Sequence, residues 1–215
     1  MIRLALALAL LPVAATAATC RDTTFSGASY TLCEVTLADD LRLFHSGPDG
    51  AYGSFRAVNE ALQDEGKALG FAMNAGMYHR DLDPVGLYIE NGVETAGVVT
   101  RDGPGNFGLL PNGVFCWGES FRIIESRAFK ADRPACRFAT QSGPMLVIDG
   151  DLHPKLLPQS DSTYIRNGVG VSADGARAVF VISNDPVNFH AFARLFRDEL
   201  GLPNALYFDG NISRL

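Results

Sequence analysis

Turn-forming dipeptides recur along this chain between short apolar runs, and they constrain the fold more than any other feature of the sequence. Asn91-Gly92, Asp149-Gly150 and Asp174-Gly175 each separate two such runs, and Asn-Gly and Asp-Gly favour the tight turns of β-hairpins. The chain also has 22 glycines and 11 prolines in 215 residues, which indicates many further turns. The sequence therefore predicts many short strands joined by short connections.

Hydrophobic periodicity predicts where the strands and helices lie. Ser54 has the features of an N-cap before a helix that Gly70 ends, and Asp185-Pro186 begins a second helix that Gly201 ends. Strands are predicted at 30–37, 41–44, 71–74, 87–90, 179–183 and 205–208. Two main helices among about ten short strands predict a single-domain α+β fold with a mixed, largely antiparallel sheet.

The first 18 residues have the features of a secretory signal peptide. Arg3 supplies a positive charge, the segment 4–11 contains only Leu and Ala, and Pro12 precedes the small residues 15–18. The apolar run is shorter than the roughly 18 residues that span a membrane, so cleavage is favoured over a retained anchor. We expect a signal peptide at 1–18, one domain at 19–215, and a secreted or periplasmic protein with no transmembrane segment.

Four cysteines follow the predicted cleavage site, at Cys20, Cys33, Cys116 and Cys136. An even number of cysteines in an exported chain indicates disulfides, and four cysteines allow three pairings. Closeness along the chain favours Cys20–Cys33 and Cys116–Cys136. The sequence has no C-x-x-C motif and no cysteine near a pair of histidines. We therefore expect structural disulfides, no metal site and no cofactor.

Charge and one failed motif exclude two further classes of function. Lys and Arg number 18 against 24 Asp and Glu, a net charge of −6, so the chain lacks the basic surface that binds nucleic acid. The segment 103–108 matches G-x-G-x-x-G, but Pro111 follows too soon for the helix that a dinucleotide site needs. Nucleic acids and dinucleotide cofactors are not expected partners.

Polar residues stand beside glycines at the ends of several predicted strands. Arg166 has the bidentate geometry that suits a phosphate or carboxylate, and Asp209 at a strand end is placed for general acid or base chemistry. Glycines let backbone approach a ligand closely, so that amides can donate to anionic oxygens. The same dipeptides are also ordinary turn formers, so these residues alone leave a ligand site and plain turns both open.

Six segments combine such polar residues and glycines, at 73–78, 105–107, 111–115, 141–146, 166–170 and 208–213. In their order and spacing they resemble the phosphodiester glycosidase family, and the resemblance extends from about Tyr30 to the C terminus. It is closest to the small exported bacterial members. The last of the six segments contains Asp209-Gly210-Asn211, where family members often have Asp-Gly-Gly.

The resemblance implies hydrolysis of a sugar 1-phosphodiester, of the N-acetylglucosamine 1-phosphodiester kind, to free sugar and a phosphomonoester. Arg166 would bind the phosphodiester, and Asp209 would act as general acid or base or activate water. His79, with Asp81 or Asp83 in the same loop, would supply a second proton-transfer group. The residues expected to bind substrate are Asn74, Gly76, Asn112, Ser142 and Gly143.

Two functions of other classes fit the same residues. The first is an envelope glycan-binding module that keeps the pocket without turnover, and the second is a phosphodiesterase that acts on another envelope polymer. A binding module would keep its affinity in an Asp209→Asn variant and form no product. In every case the expected partner is a phosphorylated glycan or a sugar phosphodiester.

Overall fold

The computed structural model describes residues 18–48 and 50–210. The predicted signal peptide, apart from Ala18, and Asn211 lie outside the described residues. The strands are β1 Thr19–Phe25, β2 Ala28–Thr36, β3 Ser46–Gly47, β4 Gly50–Ala51, β5 Tyr88–Glu90, β6 Val93–Ala96, β7 Gly113–Trp117, β8 Phe121–Glu125, β9 Phe138–Ser142, β10 Met145–Ile148, β11 Asp151–Leu152, β12 Asn167–Val171, β13 Arg177–Ser183 and β14 Asn204–Tyr207. The helices are α1 Phe55–Gln63, α2 Ser126–Asp132 and α3 Phe189–Arg194, which continues into a π-helical segment, Leu195–Glu199.

The strands form two large sheets. One has seven strands in the order β1-β2-β13-β12-β14-β10-β11, and the other has five in the order β6-β5-β9-β7-β8. Strands β3 and β4 form a small ribbon of their own. Every strand pairing among the described residues is antiparallel. This is the α+β, largely antiparallel fold that the sequence predicts.

The two sheets pack face to face with a helix on each outer face. Between them lies an aromatic-rich core that includes Phe115 and Trp117 of β7 and Phe180 of β13. Phe192 and Phe196, from α3 and the π-helical segment, pack on the outer face of the seven-stranded sheet. Phe129 of α2 packs on the outer face of the five-stranded sheet. Alternate residues of one strand therefore belong to different cores, as the period of two in a strand requires.

Two of the three predicted hairpin turns have the expected type I′ conformation. Asn91 and Gly92 have φ values of 51° and 80°, and Asp149 and Gly150 have φ values of 49° and 92°. Two consecutive residues with positive φ define the type I′ turn that Asn-Gly and Asp-Gly favour. These two turns join β5 to β6 and β10 to β11.

The helix predictions are correct at one boundary each. Ser54 caps α1 by accepting the Ala57 N–H, but α1 ends at Gln63 and not at Gly70, because Gly66 adopts φ of 69° and breaks the helical path. The second helix begins at Phe189 and not after Asp185, because Asp185 accepts the Ser29 N–H instead, while Asn188 is the N-cap and accepts the Ala191 N–H. The short helix α2 was not predicted.

Two predicted strands are absent from the described residues. The segment 41–44 is irregular, and the indole of Trp117 donates to the Leu41 carbonyl, so a side chain occupies an acceptor that a strand would pair. The segment 71–74 is likewise not a strand. Asn167 and Thr140 side chains donate to the carbonyls of Asn74 and Ala75. In both places side-chain donors bind backbone carbonyls that would otherwise accept hydrogen bonds from a neighbouring strand.

Both predicted disulfides are present. Cys20–Cys33 joins directly opposed positions of β1 and β2, and Cys116–Cys136 ties β7 to the segment that precedes β9. Disulfides persist in oxidising compartments, so they are consistent with a non-cytoplasmic protein. Within residues 18–48 and 50–210, no helix is long and apolar enough to cross a membrane.

Candidate active site

Three strand ends bring the predicted site segments together at one edge of the seven-stranded sheet. Gly168 of β12 is opposite Tyr207 of β14, and the Phe208 N–H donates to the Asn167 carbonyl at 3.1 Å. The Tyr207 N–H donates to the Pro144 carbonyl at 3.1 Å. Arg166 before β12, Asp209 after β14 and Gly143 before β10 therefore lie at the same edge.

Gly210 allows the chain after β14 to lie against the backbone of residues 165 and 166. A Cβ on Gly210 would stand 2.6 Å from the Arg166 Cα and would also meet the Ile165 carbonyl group. A real Cβ cannot occupy that space, so glycine is required by packing at this position. The contact fixes the half-buried Asp209 beside the backbone that carries Arg166.

The side chain of Arg166 is 1% exposed and held by backbone carbonyls. Its Nε donates to Val187 O at 2.8 Å and one terminal nitrogen donates to Ser162 O at 2.8 Å. The ring of Phe189 lies 3.5 Å from the guanidinium carbon. The arginine head group is therefore fixed from three sides.

Arg166 forms no salt bridge with any carboxylate among the described residues. Burial lowers the pKa of Arg166 from its usual value, but a guanidinium remains charged in proteins. A buried charge without an opposite charge costs several kcal/mol. An anionic ligand at this position would offset that cost, which is the property of an anion-binding site.

Tyr207 connects Arg166 with the turn that carries Asp209. It is 2% exposed, its hydroxyl oxygen accepts the Gly210 N–H at 3.3 Å, and its ring packs edge-on against Phe189 at 4.8 Å between centroids. Burial is the main cause that raises the pKa of Tyr207, so the phenol stays protonated at neutral pH. The sequence prediction missed this residue, because a tyrosine in an apolar strand has the pattern of an ordinary core position.

The segment around Asn74 is fixed beside the same strand ends. Asn74 donates through its side chain to Gly76 O at 2.7 Å, and Asn167 donates to Asn74 O at 3.0 Å. A Cβ on Gly76 would lie 3.0 Å from the Thr140 hydroxyl oxygen. Tyr78 follows, 40% exposed, and its pKa is raised by burial and then by the charge of Asp209. The segment that carries Asn74 therefore brings Tyr78 close enough to Asp209 for the carboxylate charge to act on the Tyr78 hydroxyl.

Asn112, Ser142 and Gly143 form its framework. Asn112 and Ser142 are 0% exposed. The Asn112 amide donates to Phe107 O at 2.9 Å and the Ser142 hydroxyl donates to Phe208 O at 3.2 Å. A Cβ on Gly143 would lie 2.6 Å from the Asn112 Cβ. In this structure their side chains fix the loops and do not face solvent.

Gln141 is a second organising residue that the sequence did not reveal as one. Its side-chain oxygen accepts the N–H groups of Leu87 and Val99 at 3.1 and 2.9 Å. Its amide donates to the Val99 carbonyl and, at 2.9 Å, to the Ser126 hydroxyl. One buried amide therefore joins four groups from three separate segments. Sequence alone gave no signal for this role, since each partner is distant along the chain.

His79 is exposed in the turn that precedes Pro84. The backbone N–H of His79 donates to Asp83 O at 2.8 Å, and its backbone carbonyl accepts from the Leu82 N–H at 3.0 Å. Among the described residues no hydrogen bond joins its imidazole to Arg166. The turn itself connects directly to Tyr78, so His79 lies at the margin of the site.

A surface depression of about 80 Å³ lies apart from these residues, and its walls include Asp39, Asp40, Trp117 and Arg137. Its acidic groups already have partners, because Asp39 accepts the Thr36 N–H and Asp40 pairs with Arg42 and Lys67. In the part of the chain that the structure describes, no cluster of His, Cys, Asp or Glu is placed to hold a metal ion.

Comparison with known proteins supports the same reading of these segments. The sequence model of the phosphodiester glycosidase family matches residues 68–214, which include the whole Arg166–Asp209 region. The uncharacterized protein YigE of Escherichia coli (strain K12) is 37% identical over 218 residues, covering 99% of this chain and 84% of that protein.

A solved structure shares the fold. It is the catalytic domain of zebrafish N-acetylglucosamine-1-phosphodiester alpha-N-acetylglucosaminidase, auto-inhibited by its pro-peptide. The TM-score is 0.57 at 17% sequence identity, over 90% of this chain and 69% of that one. With the family match over most of the chain, the conclusion is that this protein belongs to the phosphodiester glycosidase family of hydrolases.

Proposed function

We propose that this protein is an exported enzyme that hydrolyses a sugar 1-phosphodiester, of the N-acetylglucosamine 1-phosphodiester kind, to free sugar and a phosphomonoester. The observation that carries the proposal is the buried Arg166, which is fixed by carbonyls and Phe189 and has no carboxylate partner among the described residues. A phosphodiester is an anion that the guanidinium fork fits. A neutral glycan would leave the buried charge uncompensated.

The chemistry follows from the charge that develops as the bond breaks. Water adds to the sugar C1, the bond from C1 to the bridging oxygen breaks, and its electron pair stays on the phosphate oxygen. The negative charge on the phosphate group thereby increases from one to about two units, and Arg166 stabilises the added negative charge. Asp209 accepts the proton of the attacking water as general base.

One carboxylate is sufficient for this scheme. The departing phosphomonoester has a second pKa near 6, so it leaves as an anion without needing a proton from the enzyme. His79, with Asp81 or Asp83, remains the proposed second proton-transfer group. Because His79 is exposed in its turn, we expect it to contribute less than Asp209.

The other residues predicted to bind substrate have graded roles. Asn74 and Gly76 lie on the segment that ends at Tyr78 beside Asp209, and we propose that they contact sugar hydroxyls or phosphate oxygens. Asn112, Ser142 and Gly143 are proposed to act through backbone groups and loop shape, since the two polar side chains are fully buried.

The first experiment measures sugar release from an α-N-acetylglucosamine 1-phosphodiester by the purified protein. Arg166→Lys keeps the charge but loses the planar fork, so kcat/KM should fall by about 100-fold or more. Arg177→Lys is the matched control, because Arg177 forms a surface ion pair with Glu34 at 3.1 Å. Hydrolysis of glycerol-phosphate chains but not of the sugar diester would favour the envelope phosphodiesterase instead.

Export is tested separately. A signal peptide at 1–18 predicts that full-length protein made in a bacterial host is recovered from the periplasm with a mature mass that begins at Thr19. The two disulfides support this location. Cytoplasmic protein of full-length mass would contradict it.

A further inference from the structure

We propose that Tyr207 is a positioning residue whose hydroxyl holds the Asp209–Gly210 turn beside the Arg166 guanidinium, in one fixed arrangement for an anionic phosphate. The positioning role is argued from the contacts of Tyr207. Its effect on turnover rests on the proposed function.

Tyr207 contacts the turn and lies close to the arginine. A phenol oxygen accepts up to two hydrogen bonds and donates one. The Gly210 N–H donates to the Tyr207 hydroxyl at 3.3 Å. The guanidinium carbon of Arg166 is 5.8 Å from the centre of the Tyr207 ring. Tyr207 therefore lies between two parts of the proposed site.

The one proton of the hydroxyl is left to donate. It does not point to the Gly210 N–H, because that group is itself a donor. Asp209 is close enough for its charge to act on the phenol. A phosphate oxygen held by Arg166, or the Asp209 carboxylate, is the acceptor that this geometry offers.

The ring and the hydroxyl of Tyr207 have separable roles. The ring packs edge-on against Phe189 at 4.8 Å, and Phe189 in turn covers Arg166 at 3.5 Å. A phenylalanine at position 207 would keep that packing and remove the hydroxyl alone. Tyr207→Phe therefore distinguishes a positioning role from plain core packing.

The matched control is Tyr88→Phe. Tyr88 is also a buried tyrosine, 8% exposed, and its hydroxyl donates to Glu90 at 2.8 Å. It belongs to β5 of the five-stranded sheet. Both variants lose one buried, hydrogen-bonded hydroxyl, but only one of them lies beside Arg166.

The test measures the affinity for inorganic phosphate by phosphorus NMR titration, together with kcat and KM for the sugar diester. In Tyr207→Phe the Kd for phosphate should rise about tenfold, as for a lost hydrogen bond in a charged site. The KM should rise in parallel, and kcat should also fall about tenfold. Tyr88→Phe should leave all three within about twofold of the wild type.

A double-mutant cycle decides whether the hydroxyl acts through Arg166. Adding Tyr207→Phe to Arg166→Lys should weaken phosphate binding by less than Tyr207→Phe does in the wild type, because the fork beside which the hydroxyl holds the turn is already lost. Fully additive effects would overturn the proposal, as would an unchanged phosphate Kd in folded Tyr207→Phe or a wild type that binds no phosphate. Phosphate binding that weakens in Tyr207→Phe, in a wild type without turnover, would support positioning and refute the glycosidase function.

Discussion

The aromatic ring of Phe189 covers the guanidinium carbon of Arg166 at 3.5 Å. Phe189 is the first residue of α3, and the N-cap Asn188 also donates to the carbonyls of Pro158 and Ser160, both at 3.1 Å. Since Ser162 of the same loop accepts from Arg166 at 2.8 Å, the start of α3 organises two sides of the arginine. This arrangement holds the guanidinium in a buried position, and no carboxylate among the described residues pairs with it.

Replacement of Phe189 should therefore lower catalytic activity more than it lowers the stability of the folded protein. Phe189→Leu keeps an apolar residue but loses the cation–π contact, which contributes about 1–2 kcal/mol when desolvated. We expect kcat/KM for the sugar diester to fall about tenfold. Phe25→Leu is the control, because Arg194 lies over the Phe25 ring at 5.5 Å away from the site segments. Equal losses of activity in the two variants would contradict a specific role for Phe189.

Gly210 should tolerate no side chain. In Gly210→Ala the new Cβ would stand 2.6 Å from the Arg166 Cα, and relief of that contact should cost about 1–3 kcal/mol and displace Asp209. Urea unfolding and sugar release together measure both effects. Gly70→Ala is the control, since nothing lies within 4 Å of a Cβ there. A Gly210→Ala protein with wild-type stability and turnover would show that the close approach is unimportant.

How far the sequence predicts this molecule depends on how local each determinant is. The Asn91-Gly92 turn and the Ser54 cap are set by adjacent residues, and both are confirmed. The segment 71–74 was predicted as a strand from its composition, but Asn167, which is 93 residues from Asn74 along the chain, donates to its carbonyl. Such a tertiary contact leaves no trace in local periodicity.

The same distinction applies to the candidate site. Arg166 and Asp209 were candidates from sequence because they stand beside glycines at predicted strand ends, and the family resemblance gave them their expected roles. Phe189 and Tyr207 could not, because an aromatic residue in an apolar stripe has the pattern of core packing in either case. Their roles depend on the pairing of β12 with β14 and on the angle at which α3 meets the sheet, and both arise only in the folded chain.

The buried amide of Gln141 should be a major source of stability. In Gln141→Leu the N–H groups of Leu87 and Val99 and the Ser126 hydroxyl lose their partner. Buried polar groups without partners cost about 1–3 kcal/mol each, so we expect a loss of about 3 kcal/mol or more in the free energy of unfolding. Gln63→Leu, at the exposed end of α1, should change it by less than about 0.5 kcal/mol. Similar unfolding curves for both variants would refute this role.

Acid should destabilise the fold partly through His153, which is 1% exposed. Burial lowers the pKa of His153 below its usual 6.5, so the unfolded chain binds a proton more readily. Stability is then fully present above about pH 6.5 and falls as the pH drops below it, by at most about 1.4 kcal/mol per pH unit for one proton.

His153→Asn tests that pH dependence, because asparagine can still accept the Lys155 N–H that Nδ1 accepts at 3.2 Å. Urea midpoints at pH 7.5 and pH 5 should differ less in His153→Asn than in the wild type. His190→Gln is the comparison, as His190 is only half-buried and its pKa is also lowered by burial. If the urea midpoints of His153→Asn differ between the two pH values as much as those of the wild type, His153 is not a cause of the loss of stability in acid.

The most direct test of the account is the rate of sugar release by Asp209→Asn, measured beside the wild type and Asp151→Asn. Asp151 is an exposed carboxylate in β11, so the Asp151→Asn variant should release sugar at the wild-type rate. We predict that the wild type releases free sugar from the α-N-acetylglucosamine 1-phosphodiester. Asp209→Asn should release it at least about 100-fold more slowly while still binding phosphate. Wild-type turnover in a folded Asp209→Asn protein would contradict the account.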